Sequence, residues 1–235
     1  MTLPNASKYW GAESWIMKWD WGETFMLEFI YLMMNEWMDG LWPIVVSIHL
    51  LALIFAFAGK YLRISHLVVF LTTVWLYHRL TLYIIGGNLL VIALLFYLIF
   101  ANERKSDQFS TKLNSLILLA IKVQVCFVYF FSGLWKLAGD QWLKGEAMHY
   151  ILNIPEYSHP FVIEYIANSK IVTVPATFIA LAYQLLFPFL IWFRIFKKPL
   201  LIVGVLFHLI IGLAMGIWDF ALIMIASYTA FMFGD

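Results

Sequence analysis

The chain has 235 residues, of which 63% are hydrophobic, 19% aromatic and only 12% charged. A soluble globular domain is roughly 45–50% apolar and about 25% charged, so this composition excludes one and points to a bilayer. The formal net charge of +1 offers no basic field for nucleic acid, and a single cysteine, Cys126, excludes a disulfide framework or a cysteine-based metal site within one chain. The opening MTLPNASKYW lacks the basic region and apolar run of a cleavable signal peptide.

Residues 1–40 hold Trp10, Trp15, Trp19, Trp21 and Trp37 among Glu13, Asp20, Glu23, Glu28, Glu36 and Asp39. Tryptophan concentrates at membrane–water interfaces, so this part reads as an interfacial amphipathic segment. Residues 24–38 within it predict a helix lying along the surface or partly re-entrant, too short an apolar run for the roughly 17–25 residues of a span. Residues 41–235 read as the transmembrane domain. Seven apolar segments follow one another at about 41–58, 66–84, 88–101, 113–136, 171–193, 200–216 and 218–233. The third, sixth and seventh are short for a span. The fold class expected is an all-α integral membrane protein, a bundle of six to seven transmembrane helices. Between the fourth and fifth segments, 139–170 alternates Trp142, Tyr150, Tyr157 and Tyr165 with Asp140, Glu146, Glu156 and Glu164. That pattern predicts a cap of interfacial helices on the outer face.

Loop charge sets the expected orientation. Lys60 and Arg63 follow the first segment, Arg104, Lys105 and Lys112 the third, and Arg194, Lys197 and Lys198 the fifth. Alternate loops are thus basic, which places them in the cytoplasm by the positive-inside rule and 139–170 outside. The same count puts residues 1–40 outside, so a short tail is translocated, or 24–38 crosses the membrane, or the chain lacks a first helix that its relatives have.

Ionisable residues at membrane depth are costly and are candidate functional groups. They are His49, His78, Arg79, Lys122, Lys136 and His208, with the neutral Gln124 beside them. Lys122 and Lys136 share a helix, fourteen residues and about 3.9 turns apart, so they face nearly the same way with roughly 21 Å between them. Lys136 lies where its apolar run ends. It either snorkels to the interface or is held partly out of water, where it can serve as base or nucleophile. Lys122 reads as an interior hydrogen-bond donor, with Gln124 on another face. His208 and His49 read as interhelical hydrogen-bonders or site residues, and His78 could face an outer cavity. Ser132 reads as a small residue allowing helix contact, and Gly86-Gly87 as a turn. No zinc-type histidine spacing is present, and no metal is expected.

Several separated strings together resemble the HTTM domain, the membrane domain shared by vitamin K-dependent gamma-carboxylases and many bacterial proteins. They are VYFFSGLWKLAGDQWLKGEA from Val128, IKVQ from Ile121, PFLIWFR from Pro188, FHL from Phe207, GIWDF from Gly216 and FANER from Phe100. The likeness runs from about residue 45 to 232. Bacterial maturation proteins of the sporulation-delaying toxin type are a similar group. The resemblance implies a site at the outer membrane face with Lys136 as the base that deprotonates a reduced quinone or vitamin K-like molecule. His208 would be a second catalytic candidate, Trp142 and Gly145 a lid, and Lys122, Gln124, Ser132, His78 and Asn88 would line the pocket. It also implies a bacterial inner membrane location. The sequence departs from the carboxylases at Gly86-Gly87-Asn88, where they carry an Asn-His pair, and at Asp219, where they have Pro or Ser. No counterpart of their β-rich C-terminal domain lies within these residues, and their first helix is absent or altered. These departures count against glutamate carboxylation and leave quinol or lipid-phase chemistry.

Two functional expectations follow. One is a membrane enzyme centred on Lys136, acting on a quinone-like or lipid-phase substrate or on an exported peptide. The other is a non-catalytic membrane component of a toxin or peptide maturation, export or immunity system, holding a membrane protein partner. A transporter would show two related halves with broken helices, and no such repeat is present.

Overall fold

The structure is a computed structural model that describes residues 40–78, 86–101 and 108–232. The interfacial segment expected over 1–40, apart from Gly40, lies outside the described residues, as do Arg79, Arg104, Lys105 and the side chain of His78. Among the described residues every regular element is helical. The chain divides into two compact units, residues 1–117 and 118–235.

The first unit contains α1 (Trp42–Phe57), α2 (Leu62–His78) and α3 (Gly86–Ile99). Pro43 lies in the first turn of α1, where a missing N–H costs nothing. The helices are apolar nearly all round, so polar links between them carry register information that burial alone cannot. Thr72 Oγ1 donates to Val68 O of its own helix at 2.7 Å, which leaves its oxygen free to accept. His49 Nδ1–H therefore donates to Thr72 Oγ1 at 2.8 Å, joining α1 to α2. His66 Nδ1–H donates to Leu98 O at 3.1 Å, joining α2 to α3. His49 is thus a satisfied interhelical hydrogen-bonder. Asn88 is buried in the first turn of α3.

α4 (Gln108–Leu137) leads into the second unit. After it come α5 (Asp140–Leu143), α6 (Ala147–Leu152), α7 (Pro160–Tyr165), α8 (Lys170–Leu190), α9 (Arg194–Met215) and α10 (Trp218–Ser227), closed by a 3-10 turn at Tyr228–Met232. Among the described residues three helices are long and apolar enough to cross a membrane: α4 with 30 residues, α8 with 21 and α9 with 22. At 1.5 Å per residue each reaches the roughly 30 Å of a hydrocarbon core. The other apolar helices, at 42–57, 62–77, 87–99 and 218–232, are shorter. The sixth segment, expected to be short at 200–216, is corrected: α9 starts at Arg194 and takes the basic RIFKKP stretch into its first turns. Long cationic side chains permit this because their charged ends reach past the apolar stem.

Which faces are buried follows an inside-out pattern. On α4 the buried residues include Lys122, Val125, Cys126 and Tyr129, while Leu116, Leu119, Phe127, Phe131, Leu134 and Trp135 are among the exposed ones. Apolar faces of this extent are not tolerated on a water-soluble monomer. They are the faces a helix turns to lipid, and these are the helices of an integral membrane protein.

Residues 139–170, expected as one or two interfacial helices, form the three short helices α5, α6 and α7. α6 is fastened to α8 by Met148 N–H donating to Thr177 Oγ1 at 3.1 Å. α7 is fastened to the end of α9 by His159 N–H donating to Ala214 O at 2.9 Å. Leu152, Val162 and Ala167 make a small core there, with Ile166, Ala214 and Met215 packed against it. Gly216 ends α9 in the left-handed conformation that favours glycine.

Candidate functional site

Lys136 lies in the last turn of α4, where a cation complements the carbonyl end of the helix. Ser132 stands one turn earlier on the same face. Lys136 Nζ donates to Ser132 Oγ at 2.7 Å and approaches Ser132 O at 3.5 Å. Ser132 in turn donates to Gln184 Oε1 of α8 at 3.3 Å. The chain then reverses: Gly139 N–H donates to Lys136 O at 3.0 Å, and α5 brings Trp142 back over the ammonium. Nζ lies 5.2 Å from the centre of the Trp142 ring. A cation so placed gains about 0.5–1 kcal/mol at an exposed site and about 2 kcal/mol when desolvated. The described ion pair nearby joins Lys144 and Asp140 at 3.8 Å, both well exposed. Among the described residues no carboxylate pairs with Lys136.

Gly145 follows, with φ +75, and a Cβ there would lie 2.9 Å from Phe178 and 3.1 Å from Val174 of α8. Both the backbone conformation and the space require glycine. Gly145→Ala is expected to destabilise the protein by about 1–3 kcal/mol and to loosen Trp142 from Lys136. Thermal unfolding in mild detergent checks the first effect and the fluorescence of Trp142 the second. An unchanged melting temperature counts against this packing.

Small residues decide how closely α4 and α8 approach. At Gly133 an added Cβ would come within 2.8 Å of Leu185 Cδ2. Gly133 therefore takes the contact role expected of Ser132, while the Ser132 hydroxyl is engaged in hydrogen bonding. Ser132→Ala removes the acceptor of the 2.7 Å bond. It is expected to cost about 0.5–1.5 kcal/mol, read as a lower midpoint in thermal unfolding; a midpoint equal to wild type would show that Ser132 does not hold the lysine.

Two turns before Lys136 on α4 is Tyr129, 2% exposed. At 1.5 Å per residue the seven-residue step is about 10.5 Å, and another seven residues back is the buried Lys122. His208 Nε2 meets the Tyr129 hydroxyl at 2.7 Å. Tyr129 also hydrogen-bonds Tyr228, whose hydroxyl lies 3.2 Å from that of Tyr183. Tyr183 donates to Leu200 O at 3.1 Å. His208 is 1% exposed and Tyr228 2%. Phe187 packs at a tilt against Tyr129 with ring centres 4.3 Å apart. Gly204, one turn before His208, leaves the room: a Cβ there would run into the hydroxyls of Tyr183 and Tyr228.

A family model, the HTTM domain, matches residues 5–235. The chain belongs to the HTTM domain family. No curated protein and no solved structure gives a significant match. The family is that of gamma-carboxylase-like membrane domains, and the resemblance carried by the separated strings is correct over nearly the whole chain.

Within this HTTM domain the expected site residues fall into distinct places. Lys136, Ser132 and Trp142 come together, with Gly145 on the same crossover. His208 does not touch Lys136; it is bonded to Tyr129, on the same helix as the lysine. Lys122 is buried along that helix face and Gln124 is half-buried. Asn88 belongs to the other unit, and the His78 side chain is outside the described residues. The sequence reading missed Gln184, Tyr129, Tyr183, Tyr228 and Gly204. A phenol in an apolar run reads as an interfacial anchor. The seven-residue spacing from Tyr129 to Lys136, and glycines one turn either side of His208 at Gly204 and Gly212, are the signals that place them inside.

Proposed function

We propose that this HTTM protein is a membrane enzyme in which Lys136 accepts a proton from the hydroxyl of a quinol-like or other lipid-phase substrate. The observation that carries this reading is a lysine with hydrogen-bond and ring partners but no carboxylate among the described residues. A paired lysine would be kept protonated by its counter-ion; among the described residues this one meets a neutral hydroxyl and an aromatic face. Ser132 and Gln184 hold the nitrogen in place, and Trp142 shields it from water. These groups suit a phenolic or alcoholic hydroxyl: the lysine meets the oxygen and Trp142 offers a flat apolar wall for a ring. A reduced quinone is the compound class that the family likeness favours, and it would supply the reducing chemistry. Loop charge supports the basic ends of the helices as cytoplasmic and the 139–170 crossover as the outer face, from which an exported peptide could reach the site.

The experiment is native mass spectrometry of the protein released from its own membranes, wild type beside Lys136→Ala. A bound quinone or other hydroxyl-bearing lipid in the wild type, lost or strongly reduced in the variant, is the expected result. A stable protein partner retained equally by both, with no small molecule, would favour a non-catalytic membrane component and overturn the enzyme reading.

A further inference from the structure

The hydrogen bonds around His208 have one consistent direction. Tyr183 donates to Leu200 O, and a carbonyl can only accept. A phenol has one proton, so the bond between Tyr183 and Tyr228 must be donated by Tyr228. The proton of Tyr228 is then used, and its bond with Tyr129 must be donated by Tyr129. With the proton of Tyr129 also used, the 2.7 Å contact requires His208 Nε2–H as donor. The chain therefore runs from His208 through Tyr129, Tyr228 and Tyr183 to Leu200 O. It ends on a backbone carbonyl that cannot change role, and this fixes every member before it. An imidazolium would satisfy the same chain but would leave a buried Nδ1–H without an acceptor. The neutral Nε2–H form leaves Nδ1 as a bare lone pair. No described protein group donates to Nδ1, and the atom is buried. A buried polar atom left so is costly unless something donates to it.

We propose that His208 Nδ1 is a second polar site: a hydrogen-bond acceptor, locked in one tautomer by the three tyrosines, that receives an O–H donor inside the helix bundle. Tyr129, Tyr228 and Tyr183 are positioning residues, acting on the donor through His208. Two sources share this chemistry, an internal water and the hydroxyl of a lipid-phase molecule. Phe207 and Phe220 flank the imidazole, with ring centres 5.2 and 5.4 Å away, so a hydroxyl on an apolar body suits the surroundings as well as water does. The site does not depend on Lys136 acting as a base. It does limit Nδ1 of His208 to accepting a proton or hydrogen bond in the resting protein, where a general acid at that atom would have to give one.

The test is nitrogen-15 NMR of histidine-labelled full-length protein in lipid bilayers at neutral pH, with His208 assigned by the signal lost in His208→Asn. One neutral tautomer, protonated at Nε2, is expected. A proton correlation from the water resonance to Nδ1 identifies water as the donor. A shift on adding 4-methylphenol, not seen with 4-methylanisole, identifies a lipid-phase hydroxyl. An Nδ1-protonated or doubly protonated ring overturns the proposal, and so does an Nδ1 signal that responds to neither probe. Tyr183→Phe removes the fixed end of the chain while keeping its shape, and two tautomer signals should replace one. A single unchanged Nε2–H signal in a folded Tyr183→Phe would show that the tyrosines do not set the tautomer. Should that variant not fold, the wild-type spectrum alone decides.

Discussion

Lys136→Arg should reduce proton-transfer turnover by about 10²–10⁴-fold, the usual contribution of a positioned acid–base group. With a short-chain reduced quinone as probe, the readout is its oxidation rate in air above the protein-free background, in bilayer discs. The substitution separates two roles that a lysine at a membrane boundary can fill. Arginine keeps the positive charge, the long stem and the attraction to the Trp142 face, so a side chain that merely snorkels or braces the crossover is replaced adequately. Arginine cannot give up its proton in any accessible range, so a base is not replaced at all. Lys136→Ala should be as inactive as Lys136→Arg but less stable, since it also loses the bond to Ser132 and the contact with Trp142. Turnover in Lys136→Arg close to that of wild type would remove Lys136 from the chemistry.

Gly204→Ala should destabilise the protein, while the same change at Gly212 should be near neutral. Both glycines lie inside α9, eight residues apart and each one turn from His208. Replacing a mid-helix glycine by alanine gains about 0.8–1.0 kcal/mol in helix propensity at either position. What differs is the neighbour. The Cβ at Gly204 runs into the hydroxyls of Tyr183 and Tyr228, which are held in a buried chain and cannot retreat without breaking it. Overpacking of this kind costs about 1–3 kcal/mol, with about 1–3 kcal/mol more for each buried hydroxyl left unpaired. At Gly212 the Cβ meets the Trp218 ring at 2.8 Å, and Trp218 is 41% exposed, with room to turn aside. Comparative thermal unfolding in one detergent decides it: a Gly204→Ala midpoint no lower than that of Gly212→Ala would mean that the tyrosine hydroxyls are not packed against α9 as described.

How much of this was legible in the sequence depends on the residue. Lys136 stood out because a cation at the end of an apolar run is costly wherever it is not needed, whereas Gly145 is named only through the family resemblance, as a lid with Trp142. Apolar segments placed the helices to within a few residues, except at α9, where Lys197, Lys198 and Pro199 read as loop. The tyrosine chain was hidden for a physical reason. Tyr129, Tyr183 and Tyr228 come from α4, α8 and the 3-10 turn after α10, and acquire meaning only when Gly204 lets them converge. Hydropathy sees a phenol as nearly apolar and says nothing of where its one proton goes. His208, by contrast, read from the sequence as either an interhelical hydrogen-bonder or a site residue, and the structure bonds it to Tyr129 of α4.

The crossover has a mechanical consequence. It is a strap pinned at two anchorages: on α8 through Gly145 and Met148, and on the end of α9 through His159 and Ala214. Between them only the turn at residues 153–158 has no helix to stiffen it. Moving the first anchorage relative to the second therefore bends the strap at that turn or drags the end of α9. Ala214 lies six residues beyond His208 on one continuous helix, about 9 Å along a rigid rod. A stiffer turn at 153–158 would thus transmit to the imidazole a movement that a supple one absorbs.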